Sequence, residues 1–287
     1  MIKYIKLLRV KQYVKNLFIF LPLIFGMQIF NLKAFTNVTV GAILFSFACS
    51  VIYILNDIKD IEEDKNHPKK SKRPIASGQI SVKNAILTAL VLFIFSLCGS
   101  FMLNLKFGFC VVIYLIMNLL YTYKLKYLPI IDILIISFGF LIRVIAGSFL
   151  ANVIPSEYLI LMTFLISLFI AFAKRYDDVL LAANGKSTRK NIYGYNKEFI
   201  IISMAVIASI NIVSYILYTL SDITIEQFGS HYLYLSTVFV VAGFLRYFQI
   251  TFVGQTSGSP TEILCSDKFI ITTIILWLGF FLVNIYL

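Results

Sequence analysis

Histidine is nearly missing from this chain, cysteine is unpaired in pattern, and acid is sparse. Of 287 residues only His67 and His231 are histidine, which leaves a His-based zinc site almost without ligands. Cys49, Cys98, Cys110 and Cys265 are scattered, no two at metal-ligand or redox-motif spacing, and read as small core residues. Charged residues make up 14% of the chain, against about a quarter in soluble domains. No Ser/Gly/Pro-rich linker divides the sequence, so residues 1–287 read as one domain. Ten-residue segments of alternating hydrophobicity are also missing, which argues against a membrane β-barrel. Residues 1–15 are basic and the apolar stretch after them lacks a small-residue cleavage pattern, so no cleavable signal peptide is expected.

What is abundant is apolar length. Hydrophobic residues are 60% of the chain and the mean hydropathy is +0.89. Apolar runs close to the roughly 20 residues that span a bilayer recur along it. They predict an all-α polytopic membrane protein with nine spans, near residues 17–30, 38–55, 85–103, 107–123, 130–150, 158–173, 199–220, 232–250 and 269–287. The net charge of +11 does not point to nucleic acid, because of where the cations lie. Of the 25 Lys and Arg residues, all but Lys33, Lys106, Arg143 and Arg246, the last near the end of the eighth span, fall before the first span or in the loops that follow even-numbered spans. The positive-inside rule places that face, with the N-terminus, in the cytoplasm of an integral plasma (inner) membrane protein.

Two loops on that face, about 56–83 and 174–198, exceed the 2–8 residues usual between packed helices. They also hold most of the acids, so function is sought there. The first reads NDIKDIEEDKNHPKKSKRPIASG from Asn56. If the preceding helix runs on, Asp57, Asp60 and Asp64 stand at i, i+3 and i+7 on one face, with Asn56 at its edge. Carboxylates on one stripe repel unless a cation sits among them. Mg2+ is the natural guest, being oxygen-seeking and readily shared with substrate phosphates. Lys72 and Arg73 follow in a basic tail suited to phosphate oxygens. A solvated charged loop is the plain alternative.

The second loop, KRYDDVLLAANGKSTRKNIYGYN from Lys174, supplies Lys174, Arg175, Lys186 and Arg189, with Asp178 beside Asp177. It reads as a phosphate-binding loop, or as a topology signal only. Arg9, Lys15 and Asn16 suit a lipid phosphate at the membrane surface, although any first span carries basic flanks. Arg143, a charge inside a span, is expected to face a polar cavity; Asp132, about three turns away, is too far to touch it directly. Glu262 and Asp267 in the 254–268 loop add acids to the same face and say little alone.

NDIKDIEED followed by KSKRPIASG has the form NDxxDxxxD…KxxRPIASG, and resembles the first Asp-rich signature of the UbiA superfamily of intramembrane prenyltransferases. The resemblance extends over essentially the whole chain. RVKQYVKNLFIFLPLIF, KYLPIIDILIISFGFLIRVIAG, AKRYDDVLL, FLRYFQI and GSPTEIL are similar to the branch that acts as decaprenyl-phosphate phosphoribosyltransferases. That branch moves 5-phosphoribose from phosphoribosyl pyrophosphate to a polyprenyl phosphate, releasing pyrophosphate, in cell wall biogenesis on the route to arabinan donors. The resemblance implies Asp57, Asp60, Asp64 and Arg73 as catalytic residues and Asn56, Asp57, Asp60 and Asp64 as the Mg2+ ligands. Arg9, Lys15, Asn16, Asn56, Lys72, Arg143, Lys174, Arg175, Asp178, Lys186 and Arg189 would bind substrate. One departure is that the second loop lacks the DxxxD of enzymes using polyprenyl diphosphates. The rival reading is conventional prenyl transfer to an aromatic or other small acceptor. A transporter is disfavoured, because the acids gather in loops and not at mid-span. A homo-oligomer stays open.

Overall fold

The computed structural model describes residues 2–66, 70–183, 190–254, 263 and 266–286. Among them the regular elements are all helical, as a chain that must satisfy its backbone within a bilayer requires. Helix α1 spans Ile2–Leu8, a 3-10 run follows over Val10–Phe20, and α2 is Leu21–Phe25. Then come α3 (Leu32–Lys59), α4 (Ile61–Lys65), α5 (Val82–Leu103), α6 (Leu105–Tyr123) and α7 (Ile131–Ala151). The remainder is α8 (Glu157–Ala183), α9 (Lys197–Leu220), α10 (Asp222–Phe228), α11 (Thr237–Phe248) and α12 (Lys268–Tyr286). A 3-10 turn before α11 and a π-helical turn, Gln249–Val253, after it extend that helix to Leu233–Val253.

Seven of the described helices are long and apolar enough to cross a membrane, and α12 is apolar too. All the expected spans from 38–55 onward fall on helices. The expected first span, 17–30, differs: it is no continuous α-helix, but the end of the 3-10 run followed by the short α2. Pro22 opens that helix, as a residue without an amide hydrogen does best at a helix start. The segment is also tied inward. Tyr13 Oη pairs with Ser50 Oγ at 2.8 Å and Asn16 Nδ2 donates to Ser46 Oγ at 2.7 Å. At Gly147 an added Cβ would stand 2.0 Å from the Ile19 carbonyl oxygen, so the run lies directly on the α7 backbone.

The chain divides into two compact units. Unit 1 comprises residues 1–126 and 138–155, and unit 2 comprises 127–137 and 156–287; α7 gives its first turns to unit 2 and the rest to unit 1. In unit 1, Asn31 caps α3 by accepting from the Ala34 amide at 3.2 Å, and Asn104, the single residue between α5 and α6, caps α6 from Phe107 at 3.0 Å. One core gathers Phe45, Phe107, Val111, Tyr114 and Leu150; a smaller one gathers Leu7, Ile54, Ile75, Ile80, Ala85 and Ala89. In unit 2 the Phe169 ring meets Phe244, Tyr247 and Phe248 edge-on at 5.0, 5.2 and 5.4 Å. With 28 residues, α3 is about 42 Å long at 1.5 Å per residue, more than the roughly 30 Å of hydrocarbon in a bilayer. That surplus length lets α3 project its Asp end past the apolar layer.

Candidate active site

Helix α3 ends at Asp60, whose φ of −95° and ψ of 17° turn the chain into α4. The Asp64 amide donates back to the Asp60 carbonyl at 2.8 Å, so the two helices form one bent rod. Asp57 and Asp64 lie on its inner face, 2% and 1% exposed. Both reach a single atom, Nη1 of Arg73, at 3.0 and 2.6 Å. Arg9 Nη2 also binds Asp57, and its guanidinium lies 5.0 Å from the centre of the Tyr53 ring. Burial pulls the Arg9 guanidinium below its usual range, while Asp57 opposes that shift.

The bend separates the third acid from the other two. Asp60 faces Lys126, whose Nζ lies 3.2 Å from Oδ1, and accepts from Asn56 Nδ2 at 3.1 Å. Lys59 Nζ donates to the Thr122 carbonyl at 2.6 Å, fixing this side of α3 to the end of α6. Of the three carboxylates expected on one face, Asp57 and Asp64 share Arg73, while Asp60 pairs with Lys126 and Asn56. Among the described residues no group of three or more His, Cys, Asp or Glu stands together as a metal cluster. What holds Arg73 in place is apolar: Pro74, Ile75 and Ile80 are buried, and both isoleucines pack on Leu7, Ile54 and Ala85. Gly78 takes the positive φ, 74°, that returns this loop toward α5. Lys72 is exposed.

Arg143 is buried, 5% exposed, in a polar cage within unit 1. Its Nε donates to Asn16 Oδ1 at 2.7 Å, Nη1 to the Gly139 carbonyl at 2.7 Å, and Nη2 to Tyr114 Oη at 3.2 Å and Cys49 Sγ at 3.3 Å. Phe45 and Phe140 flank the guanidinium at 5.1 and 5.4 Å. Lys15 is half-buried nearby, and burial, then the positive charge of Arg143, pushes its ammonium down to about 8.

In unit 2 the second cationic loop begins differently from its sequence reading. Arg175 and Asp132 both have fully buried side chains and pair at 2.7 Å. Arg175 Nη1 lies 2.5 Å from Asp178, and Asp132 also accepts from Asn191 Nδ2 at 2.8 Å and Tyr195 Oη at 2.6 Å. Tyr195 Oη in turn accepts from the Ile130 amide at 2.7 Å; burial and the Asp132 carboxylate raise this phenol well above its usual range. So Arg175 closes a buried ionic knot, while Lys174 stays exposed on α8. Asp177 Oδ1, Tyr247 Oη and Thr251 Oγ1 are buried without hydrogen-bond partners among the described residues. Lys186 and Arg189 lie outside the described residues, as do His67 and Glu262.

The model of the UbiA prenyltransferase family matches residues 19–257. The chain belongs to the UbiA prenyltransferase family. Decaprenyl-phosphate phosphoribosyltransferase of Corynebacterium glutamicum is similar to it at 33% identity, over 99% of this chain and 86% of that protein. The enzyme of the same name from Mycolicibacterium smegmatis is 32% identical over 96% of this chain and 90% of its own length. A solved UbiA homolog from Archaeoglobus fulgidus bound to GPP and Mg2+ shares the family fold at a TM-score of 0.73. It is 20% identical and covers 99% of this chain and all of that one, 100%.

Several residues of this family member's polar sites were not singled out from sequence. Lys126 is one of two cations in a short loop and gave no sign of its pairing with Asp60. Asn191 and Tyr195 sit past the second cationic cluster, where nothing in spacing ties them to Asp132. The signal that was available is Asp132 itself, an acid at the start of an apolar span, which by its cost implies a buried partner. That partner is Arg175.

Proposed function

We propose that this membrane-embedded member of the family transfers 5-phosphoribose from phosphoribosyl pyrophosphate to a polyprenyl phosphate. The reaction releases pyrophosphate and depends on Mg2+. The observation that carries the reading is near-full-length similarity, at 33% identity, to a protein named decaprenyl-phosphate phosphoribosyltransferase. The chemistry of the Asp57–Arg73 site is compatible with it. An oxygen of the acceptor phosphate attacks the anomeric carbon as the bond to pyrophosphate breaks, and the bonding pair departs with pyrophosphate. The acceptor is already ionised at neutral pH, so no strong general base is required.

Asn56, Asp57, Asp60 and Asp64 are the residues that would hold Mg2+. Asp57 and Asp64 suit it best, both reaching one cationic atom at 3.0 and 2.6 Å; Asn56 and Asp60 offer further hard oxygens and are engaged here with each other and with Lys126. Bound there, the ion would supply charge neutralisation for the leaving pyrophosphate. Arg73, released from its carboxylates, and Lys72 would grip donor phosphates. Arg9 binds and orients the Asp57 carboxylate. Lys174 and Asp178 are proposed as further substrate contacts; Arg175, without exposed surface, acts by fixing Asp132 and Asp178. Lys186 and Arg189 remain proposed donor contacts on the basis of charge alone. The loops are proposed to face the cytoplasm across the plasma membrane, following the distribution of Lys and Arg.

Purified protein given phosphoribosyl pyrophosphate labelled in the ribose, a polyprenyl phosphate and Mg2+ should yield a labelled lipid. No labelled lipid, together with turnover of a polyprenyl diphosphate and a small acceptor, would overturn the proposal in favour of prenyl transfer.

A further inference from the structure

Every acid of unit 1 lies between Asp57 and Asp64. Asp57 and Asp64 pair with Arg9 and Arg73, Asp60 with Lys126 and Glu62 with Lys65, and Glu63 is exposed on α4. Arg143 and Lys15 therefore have no carboxylate among the described residues of that unit, and all four acceptors on Arg143 are uncharged groups. Lys15 is the chain neighbour of Asn16, which accepts from Arg143, and two cations so placed in an apolar bundle are costly unless an anion joins them. Beside them lies a groove of about 240 Å³ between the 3-10 run and α3, lined by Tyr13, Asn16, Leu17, Phe20, Thr39, Ala42, Ile43 and Ser46. The two elements are joined at once, since Asn16 lines the groove while accepting from Arg143 and donating to Ser46.

The order along α3 gives the groove a direction. Asp57 stands at one end; Cys49, which meets Arg143, comes about 12 Å further in, at 1.5 Å per residue. The groove then runs from Ser46 inward to Thr39 and opens on exposed Leu17 and Ile43. A ligand with an anionic head and an apolar tail fits that sequence only one way round.

We infer that the groove between the 3-10 run and α3 seats the first isoprenoid carbons of a lipid monophosphate, whose phosphate is held by Lys15 and Arg143. The inference rests on the proposed acceptor being a polyprenyl phosphate and names where it binds. The volume admits about eight groups of water or methyl size, at roughly 30 Å³ each. Recognition thus covers the start of the chain and leaves its length free in the bilayer.

Two measurements test this. A diazirine-tagged geranylgeranyl phosphate, added without donor to the whole protein in lipid nanodiscs, should label the peptides containing Leu17 or Ile43. Untagged polyprenyl phosphate should compete, and phosphatidylglycerol should not. Labelling elsewhere, or equal competition by phosphatidylglycerol, overturns the groove assignment whether or not phosphoribosyl transfer is found. In the transfer assay, Ile43→Trp should raise KM for farnesyl phosphate about tenfold, the worth of about two excluded methylene groups, while KM for isopentenyl phosphate and for the donor holds. Lys15→Ala should raise KM for both acceptors about tenfold or more, and Lys15→Arg should restore most of that loss. An Ile43→Trp protein with unchanged KM for farnesyl phosphate, or with both acceptors weakened alike, refutes the inference. If the wild-type protein labels as expected yet transfers no ribose, the proposed donor fails and the groove stands.

Discussion

Replacing Asp132 by Asn alters one atom in the buried knot of unit 2 and should destabilise the protein strongly. Asp132 Oδ2 accepts from Arg175 Nε at 2.7 Å and from Asn191 Nδ2 at 2.8 Å, while Oδ1 accepts from Tyr195 Oη at 2.6 Å. All three partners donate. An asparagine can keep its oxygen toward Arg175 and Asn191, but its NH2 then meets the Tyr195 hydroxyl, which already accepts from Ile130 and must turn its proton away. The larger loss is charge. Arg175 has no exposed side-chain surface and would lose its pairing with the fully buried carboxylate, while Asp178, which also pairs with it, is 17% exposed. Breaking one side of a buried pair costs about 3–5 kcal/mol. At about 2–4 °C per kcal/mol for chains of a few hundred residues, the expected loss in Tm is on the order of 10 °C in detergent. Asp132→Leu combined with Arg175→Met should recover much of it, since neither charge is then left alone. A D132N protein that unfolds within about 2 °C of wild type would show that the knot is solvated or redundant, and the reasoning would fall.

Asp64→Ala should lower Mg2+-dependent kcat about a hundredfold or more, as loss of a ligand and its network does at metal sites, with the protein still folded; retained turnover across an Mg2+ titration would remove the central role given to the Asp57–Asp64 pair. Gly147→Ala places a Cβ 2.0 Å from the Ile19 carbonyl, so the 3-10 run must lift from α7 at a cost of about 1–3 kcal/mol, read as a lower Tm. The Lys15 ammonium, pushed down to about 8 by burial and by Arg143, with Arg9 adding and Cys49 opposing, is protonated below that pH and loses its charge above it. KM for the polyprenyl phosphate acceptor should be flat below pH 8 and climb as pH rises through it, and Lys15→Gln should flatten that climb.

The helices were legible because the bilayer imposes one simple requirement, sustained apolar length, and the runs from 38–55 onward express it directly. The stretch 17–30 is apolar enough to read as a span, and it takes the form of a 3-10 run and a short helix opened by Pro22, with Tyr13 and Asn16 just before it bonded to α3. At the site, spacing put Asp57 and Asp64 on one face correctly, as i and i+7 do. It could not foresee the bend at Asp60, where Lys126 reaches back to Asp60 from beyond α6 and Lys59 reaches out to the Thr122 carbonyl at the end of α6. Arg143 shows the same limit: its cost inside a span predicted a polar cage, yet three of its partners are neutral side chains far away in sequence.

One guanidinium nitrogen between Asp57 and Asp64 has a consequence for how the chain comes to be folded. Two buried carboxylates that met only around a metal ion would make folding wait for that ion. Here the chain supplies its own counter-charge through Arg73, and through Arg9 on Asp57. The Asp-rich rod can therefore be completed during membrane insertion, whatever the free Mg2+ concentration. Chelator should stop turnover while leaving the chain folded, with only the loss of Tm that removing a bound ion brings. Maturation and catalysis are uncoupled, and the enzyme arrives at the membrane ready to be loaded.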